Sequence, residues 1–251
     1  MPKIHKNLCR AFILAVFLPI FLFFHKVNAQ TGSSIKTIAA SSIPENGNVF
    51  CPVGESVIID DSRFFLYIPG NIDCKKRHPL VIIFSPSGEV LGPIQFFKPL
   101  ADKYQWLILG SKKFYNGVNT DPIFKELTDA LNDDVFVKYP VDRNKVIASG
   151  ISGGGMAAHL IAFEYPQIIW AIIVNTGADH PYCRKYKDRY PRFKLAVFLA
   201  SPADFNYSVM ESDRKLLIEN GWRVKWLEFE GGHTLAPFAL YDQAAQWLTE
   251  Q

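Results

Sequence analysis

From residue 80 onward, short runs of consecutive apolar residues alternate with longer stretches whose apolar positions recur every three or four residues. The short runs are 80–84 (LVIIF), 106–109 (WLIL), 146–149 (VIAS), 168–174 (IIWAIIV), 195–199 (LAVFL) and 224–229 (VKWLEF). A continuous apolar run of about four to eight residues, closed by Gly, Pro or Ser, describes a strand covered on both faces. Between these runs the helical period predicts helices over 96–103, 121–139, 154–165, 209–220 and 236–249. Asp121 followed by Pro122 reads as an N-cap with proline in the first helical position. Gly221 reads as a C-cap. Ahead of these elements, 56–59 and 63–68 flank the turn Asp60-Asp61-Ser62 and predict an antiparallel hairpin. Alternating strands and helices imply parallel pairing, because parallel strands need crossover connections. The predicted fold class is therefore α/β, a mostly parallel sheet with helices on both faces and the hairpin at one edge. In such sheets ligands bind beyond the carboxyl ends of the strands, so catalytic residues are sought just after strands.

The N-terminus follows another pattern. Residues 1–10 carry Lys3, Lys6 and Arg10 without an acid, residues 11–24 are wholly apolar, and Val27-Asn28-Ala29 follows. A basic start, an apolar run and an A-x-A-like end predict a secretory signal peptide over residues 1–29. The apolar run, with Pro19 inside it, is shorter than the roughly 20 residues that span a bilayer. The whole chain has 27 Lys and Arg against 24 Asp and Glu. Four of the basic residues and none of the acids lie in 1–29, so the remainder holds 23 against 24. Nothing in that balance suggests a nucleic-acid partner, which calls for a clustered basic face. Residues 30–48 are expected to form a flexible lead-in, polar and rich in small residues through 42, and residues 49–251 a single domain. The expected location is secreted or periplasmic, without stable membrane insertion once the signal is removed. Cys9 leaves with the signal. Extending the hairpin outward brings Cys51 towards Cys74, the expected disulfide in an oxidising compartment. Three free buried thiols are the alternative, and Cys183 is unpaired in either case.

Chemistry concentrates after the run 146–149. Gly150-Ile151-Ser152-Gly153-Gly154 is Gly-x-Ser-x-Gly between a strand and a helix, the setting of a nucleophile elbow. A phosphate-binding loop would need Lys and Ser or Thr after the last glycine, and Met156 follows Gly155 instead. A serine nucleophile needs a base. His5 and His25 fall in the signal, His78 precedes a strand, and His159 sits two turns into a helix, where it packs or faces solvent. Of His180 and His233, the latter follows the last strand within Gly231-Gly232-His233-Thr234 and completes the order Ser, Asp, His. Asp204, after run 195–199, is the expected orienting acid and Asp179 the runner-up, while Asp213 reads as a charge on a solvated helix face. Expected oxyanion donors are Gly153 and, because Pro86 lacks an N–H, Ser87, with Gly88 second. No His, Cys or Asp cluster has ligand spacing, so neither metal nor organic cofactor is expected.

Residues 140–156 (PVDRNKVIASGISGGGM) and 226–234 (WLEFEGGHT) resemble the α/β-hydrolase superfamily. They are most similar to its exported poly(3-hydroxybutyrate)-depolymerase-like and feruloyl-esterase-like members, over about residues 50–250. The resemblance implies an eight-stranded sheet with Ser152, Asp204 and His233 as the triad. One departure stands out: relatives usually carry His-Gly where this chain has Ser85-Pro86. Only about twenty residues separate the strands 168–174 and 195–199, too few for a large lid. The expected function is hydrolysis of carboxylic esters through an acyl-serine intermediate, on a small molecule or a polymer-linked ester. A peptidase or acyltransferase could use the same triad. The Ser85-Pro86 departure favours a third possibility, a catalytically silent binding domain.

Overall fold

The computed structural model describes residues 35–43, 48–52 and 54–251. The expected signal peptide, residues 1–29, lies outside them. The strands are β1 (Lys36–Ala39), β2 (Val57–Asp60), β3 (Phe64–Ile68), β4 (His78–Phe84), β5 (Leu107–Ser111), β6 (Val141–Ile151), β7 (Ile169–Asn175), β8 (Leu195–Ala200) and β9 (Arg223–Glu228). They pair in the order β1-β2-β3-β5-β4-β6-β7-β8-β9. Only β2–β3 and β3–β5 are antiparallel; all other pairs run parallel.

Among the described residues there are nine strands rather than eight, and the extra one lies inside the predicted flexible lead-in. Strand β1 pairs with β2 through Lys36↔Val57 to Ala39↔Asp60. Its side chains are almost all exposed, so it carries no buried face that a hydrophobic pattern could reveal. It holds its place through backbone bonds and covers the edge that β2 would otherwise leave open.

Helices α1 (Leu91–Tyr104) and α7 (Phe238–Thr249) cover one face of the sheet. The other face carries α2 (Thr120–Ala130), α3 (Phe136–Lys138), α4 (Gly153–Glu164) and α6 (Tyr207–Glu219); the five-residue α5 (Pro181–Lys185) lies between β7 and β8. Strand residues divide between the two faces with period two. Leu80, Ile82 and Phe84 join one apolar cluster, and Val81 and Ile83 the other. The helix predicted over 121–139 is α2 and α3 joined by a π turn, Leu131–Val135. Its cap is Asn119 rather than Asp121: the Asn119 side chain accepts the Asp121 N–H at 3.3 Å.

Cys51 and Cys74 are bonded, 23 residues apart, and Cys183 is a buried free thiol. Closing a loop of that length removes denatured-state entropy equivalent to about 3 kcal/mol. The disulfide thus clamps the segments flanking the hairpin. Strands β4, β6, β7, β8 and β9 are parallel and end at one edge of the sheet. That edge carries Ser152, Asn175, Ser201 and the loop after Glu228.

Candidate active site

Ser152 links β6 to α4 with φ 55° and ψ −121°. A non-glycine residue held there stores about 1–3 kcal/mol of strain. The neighbouring glycines show why the turn is so tight. A Cβ on Gly150 would stand 2.4 Å from the carbonyl carbon of Gly154, and one on Gly154 would stand 2.0 Å from the Phe84 carbonyl oxygen. The chain thus crosses itself at Gly150 and packs the start of α4 directly on the end of β4. The Ser152 N–H donates to the Asn175 carbonyl at 3.0 Å.

Strand β9 delivers the second group. Beyond Glu228 the loop turns through Gly231 (φ 147°) and Gly232 (φ 71°), conformations that glycine adopts without a Cβ penalty. The Gly232 N–H donates to Ser201 Oγ at 2.9 Å. His233 then reaches back, and its Nε2 lies 2.9 Å from Ser152 Oγ. Its Nδ1 lies 2.5 Å from Asp204 Oδ2. The Asp204 side chain is fully buried, and its other oxygen accepts the Asn206 N–H at 2.6 Å. A carboxylate only accepts, so Nδ1 carries the proton and Nε2 offers a lone pair to the serine hydroxyl. Phe205, 65% exposed, stacks on the imidazole with ring centroids 4.3 Å apart.

The other candidates lie elsewhere. His78 Nε2 bonds Asp73 O, and His180 caps α5 by accepting the Tyr182 N–H. His159 is buried, with Nδ1 3.2 Å from Tyr190 Oη and 3.8 Å from Asp179 Oδ1. Asp213 corrects the sequence reading. It is buried, accepts the Asp179 N–H at 2.8 Å and pairs with Arg184 at 2.9 Å. Its helix is covered there by α5, a tertiary contact that no helical period announces.

Burial, and secondarily the charge of Asp213, pushes the Asp179 carboxyl up to about 7. Burial, with help from Arg184, lowers His159 to about 3. Both groups are therefore neutral near pH 6. The folded pKa of Asp179 lies above its unfolded value of 3.8, so its contribution to stability is greatest below pH 4 and is lost as pH rises towards 7. Asp179→Asn should therefore gain melting temperature relative to the parent between pH 4 and pH 8, with turnover within about twofold. Calorimetry across that range checks it; a difference that stays flat or shrinks with pH would refute the neutral carboxyl.

The oxyanion candidates divide. Gly153 begins α4, and its N–H belongs to the group that a helix leaves without an internal acceptor. In the loop after β4, the Gly88 N–H closes a turn onto Ser85 O at 3.1 Å. That bond occupies the second choice and leaves Ser87 as the candidate. Ser87 Oγ lies 3.1 Å from Ser85 Oγ.

Three residues were not singled out from the sequence. Phe205 is one. Asn116 is another: its N–H donates to Pro86 O at 2.9 Å, and its amide fills the space a Gly153 side chain would need, with Oδ1 1.9 Å from that Cβ position. An Asn-Gly pair after an aromatic was its only signal. The third, Asn175, is the last residue of β7, one beyond the predicted strand 168–174.

Compared with known proteins, the chain matches no family model and no curated sequence. Solved structures do match. A thermostable esterase superposes with a TM-score of 0.55 at 20% identity, over 78% of this chain and 62% of that one. An esterase from Pyrobaculum calidifontis gives 0.58 at 14% identity, over 79% and 86%. An S-formylglutathione hydrolase from Staphylococcus aureus gives 0.58 at 11% identity, over 81% and 100%. The chain has the α/β-hydrolase fold. At these identities the likeness is one of fold. The shared features are the mostly parallel sheet and its antiparallel β2–β3 hairpin.

Proposed function

We propose that this protein is a serine hydrolase that cleaves carboxylic esters, with Ser152 as nucleophile, His233 as base and Asp204 as orienting acid. The observation that carries the reading is the continuous relay Ser152 Oγ–His233 Nε2 at 2.9 Å and His233 Nδ1–Asp204 Oδ2 at 2.5 Å. As Oγ attacks the ester carbonyl, His233 Nε2 takes the serine proton, and the carbonyl π electrons move onto oxygen. Gly153 and Ser87 are the proposed N–H donors to that oxyanion. Collapse expels the alkoxide, which receives the proton from His233, and leaves an acyl ester on Ser152. Water, deprotonated by the same nitrogen, then releases the acid and restores the hydroxyl.

The neighbouring structures, esterases among them, support a small-molecule ester as substrate; an ester group on a polymer is the alternative. We further propose a signal peptide over residues 1–29, cleaved after Ala29, and an exported mature protein. The Cys51–Cys74 disulfide is compatible with that route. Among the described residues, no helix is long and apolar enough to cross a membrane.

A fluorophosphonate probe tests the assignment. The wild-type protein should be labelled and should release nitrophenol from short acyl esters in preference to cleaving an aminoacyl anilide. Ser152→Ala should lose labelling entirely. An unlabelled wild type would leave only the silent binding domain; preference for the anilide would make the protein a peptidase.

A further inference from the structure

We propose that Asn175 is a positioning residue that sets the distance between Ser152 and His233, a role that rests on the esterase reading above. The end of β7 lies between the two loops that must meet. On one side it pairs with β6 through Ile151↔Asn175, and the Asn175 carbonyl accepts the Ser152 N–H at 3.0 Å. The strained serine is thereby held to the β7 backbone. On the other side the Asn175 side chain grips the chain immediately after His233. Its Nδ2 donates to Thr234 O at 2.9 Å, and its Oδ1 accepts the Ala236 N–H at 2.7 Å. Two further bonds complete its capacity. Nδ2 donates to Thr176 Oγ1 at 2.8 Å, and Oδ1 accepts the Tyr241 hydroxyl at 3.0 Å.

A carboxamide has two donor hydrogens and two acceptor lone pairs, and all four are used. Asn175 has no exposed surface. Its orientation is consequently fixed: rotating the amide by 180° would set N–H against N–H at Ala236 and O against O at Thr234. No aliphatic side chain could hold both Thr234 and Ala236, and a carboxylate could satisfy only the Ala236 and Tyr241 side. The third loop is tied to the same place. Asn206 Nδ2 donates to Thr176 O at 3.0 Å, while the Asn206 N–H holds Asp204 Oδ1. One strand end thus receives a bond from each of the segments bearing Ser152, Asp204 and His233.

This arrangement makes Asn175 more than a core polar residue. The loop after β9 turns on two glycines; the Gly232 N–H bond to Ser201 Oγ ties it ahead of His233, and the Asn175 amide ties it directly after. The Asn175 amide is a short mechanical link to that loop from β7, the strand whose carbonyl holds the Ser152 N–H. A displacement of about 1 Å in such a pair costs roughly a hundredfold in rate.

The test compares Asn175→Asp, nearly isosteric but with at most one donor, and that only when protonated, in place of two for Thr234 O and Thr176, with Tyr241→Phe, which removes one bond to the same amide on the side away from the triad. With a nitrophenyl ester, Asn175→Asp should lower kcat tenfold to a hundredfold while KM stays within about twofold. Tyr241→Phe should lower the melting temperature yet keep kcat within about twofold. The Nδ1 proton of His233, shared with Asp204, should give a proton resonance far downfield of the amides in the wild type and in Tyr241→Phe. It should be lost or moved in Asn175→Asp. Should that variant fail to fold, Asn175→Ser, which leaves room for water beside the strand, carries the same comparison. Unchanged kcat or an unmoved resonance in the folded Asn175 variant would overturn the proposal, as would an equal loss of kcat in Tyr241→Phe. A wild type inert towards esters would defeat the functional reading alone, because the resonance reports the His233 geometry without turnover.

Discussion

Asp204→Asn is expected to lower kcat for ester hydrolysis by about ten-thousand-fold while leaving the folded structure in place. The structure dictates the sign through a detail beyond the imidazole itself. Asp204 Oδ1 accepts the Asn206 N–H at 2.6 Å, and Oδ2 faces His233 Nδ1. An asparagine here must keep its oxygen on the Asn206 N–H, because the reverse orientation would set two donors against each other. Its NH2 group then faces Nδ1. The imidazole can only answer as an acceptor at Nδ1, which moves its proton to Nε2. A protonated Nε2 has no lone pair for the Ser152 hydroxyl, and proton removal fails. KM should change little, since Asp204 is buried away from any substrate. Steady-state kinetics on a short nitrophenyl ester measure the effect, with Asp179→Asn alongside at near-parental turnover. A loss below tenfold in Asp204→Asn, or a larger loss in Asp179→Asn, would move the acid to another residue.

The contrast between the two aspartates shows which parts of the site the sequence could disclose. That Ser152 and His233 come together was readable because the elbow and the terminal loop need glycines in fixed places, and glycines are visible in a sequence. Asp204 was readable by its place after an apolar run. The parallel strands were readable for the same reason, since burial on both faces leaves an unbroken apolar record such as IIWAIIV. Elements held mainly by backbone bonds were hidden. Strand β1 has exposed side chains and looked like a tether. Asp213 looked solvated because the Arg184 that compensates it lies on a different element, 29 residues away. The cap of α2 moved to Asn119 because that residue stays extended, at ψ 111°, while Asp121 is already helical. Asn175 is the most instructive omission. As a polar residue closing an apolar strand it looked like the start of a loop, and only the return of the chain at Thr234 and Ala236 gives its amide something to hold.

Gly154→Ala carries the largest expected loss of stability, about 3–5 kcal/mol. In an ordinary helix the change would stabilise the chain, since alanine exceeds glycine by about 1 kcal/mol in helix propensity. Here the added Cβ would stand 2.0 Å from the Phe84 carbonyl oxygen and 2.9 Å from its carbon. Those atoms belong to the last residue of β4, paired with Gly150 of β6 in the middle of the sheet, so they cannot retreat without breaking the ladder. The helix must move instead, and it carries Gly153 and the strained Ser152 with it. Stability and labelling should therefore fall together, with a melting temperature lower by roughly 10 °C. Gly155→Ala is the internal control. Its Cβ would meet a methyl of Val174 at 3.0 Å and Gly177 Cα at 3.1 Å, contacts that a few tenths of an ångström relieve, and its loss should be well under half as large. Calorimetry and the rate of fluorophosphonate labelling on both variants decide the matter. If Gly154→Ala melted at or above the parent temperature and reacted at the parent rate, the close packing of α4 on β4 would not be what holds Ser152 in its turn.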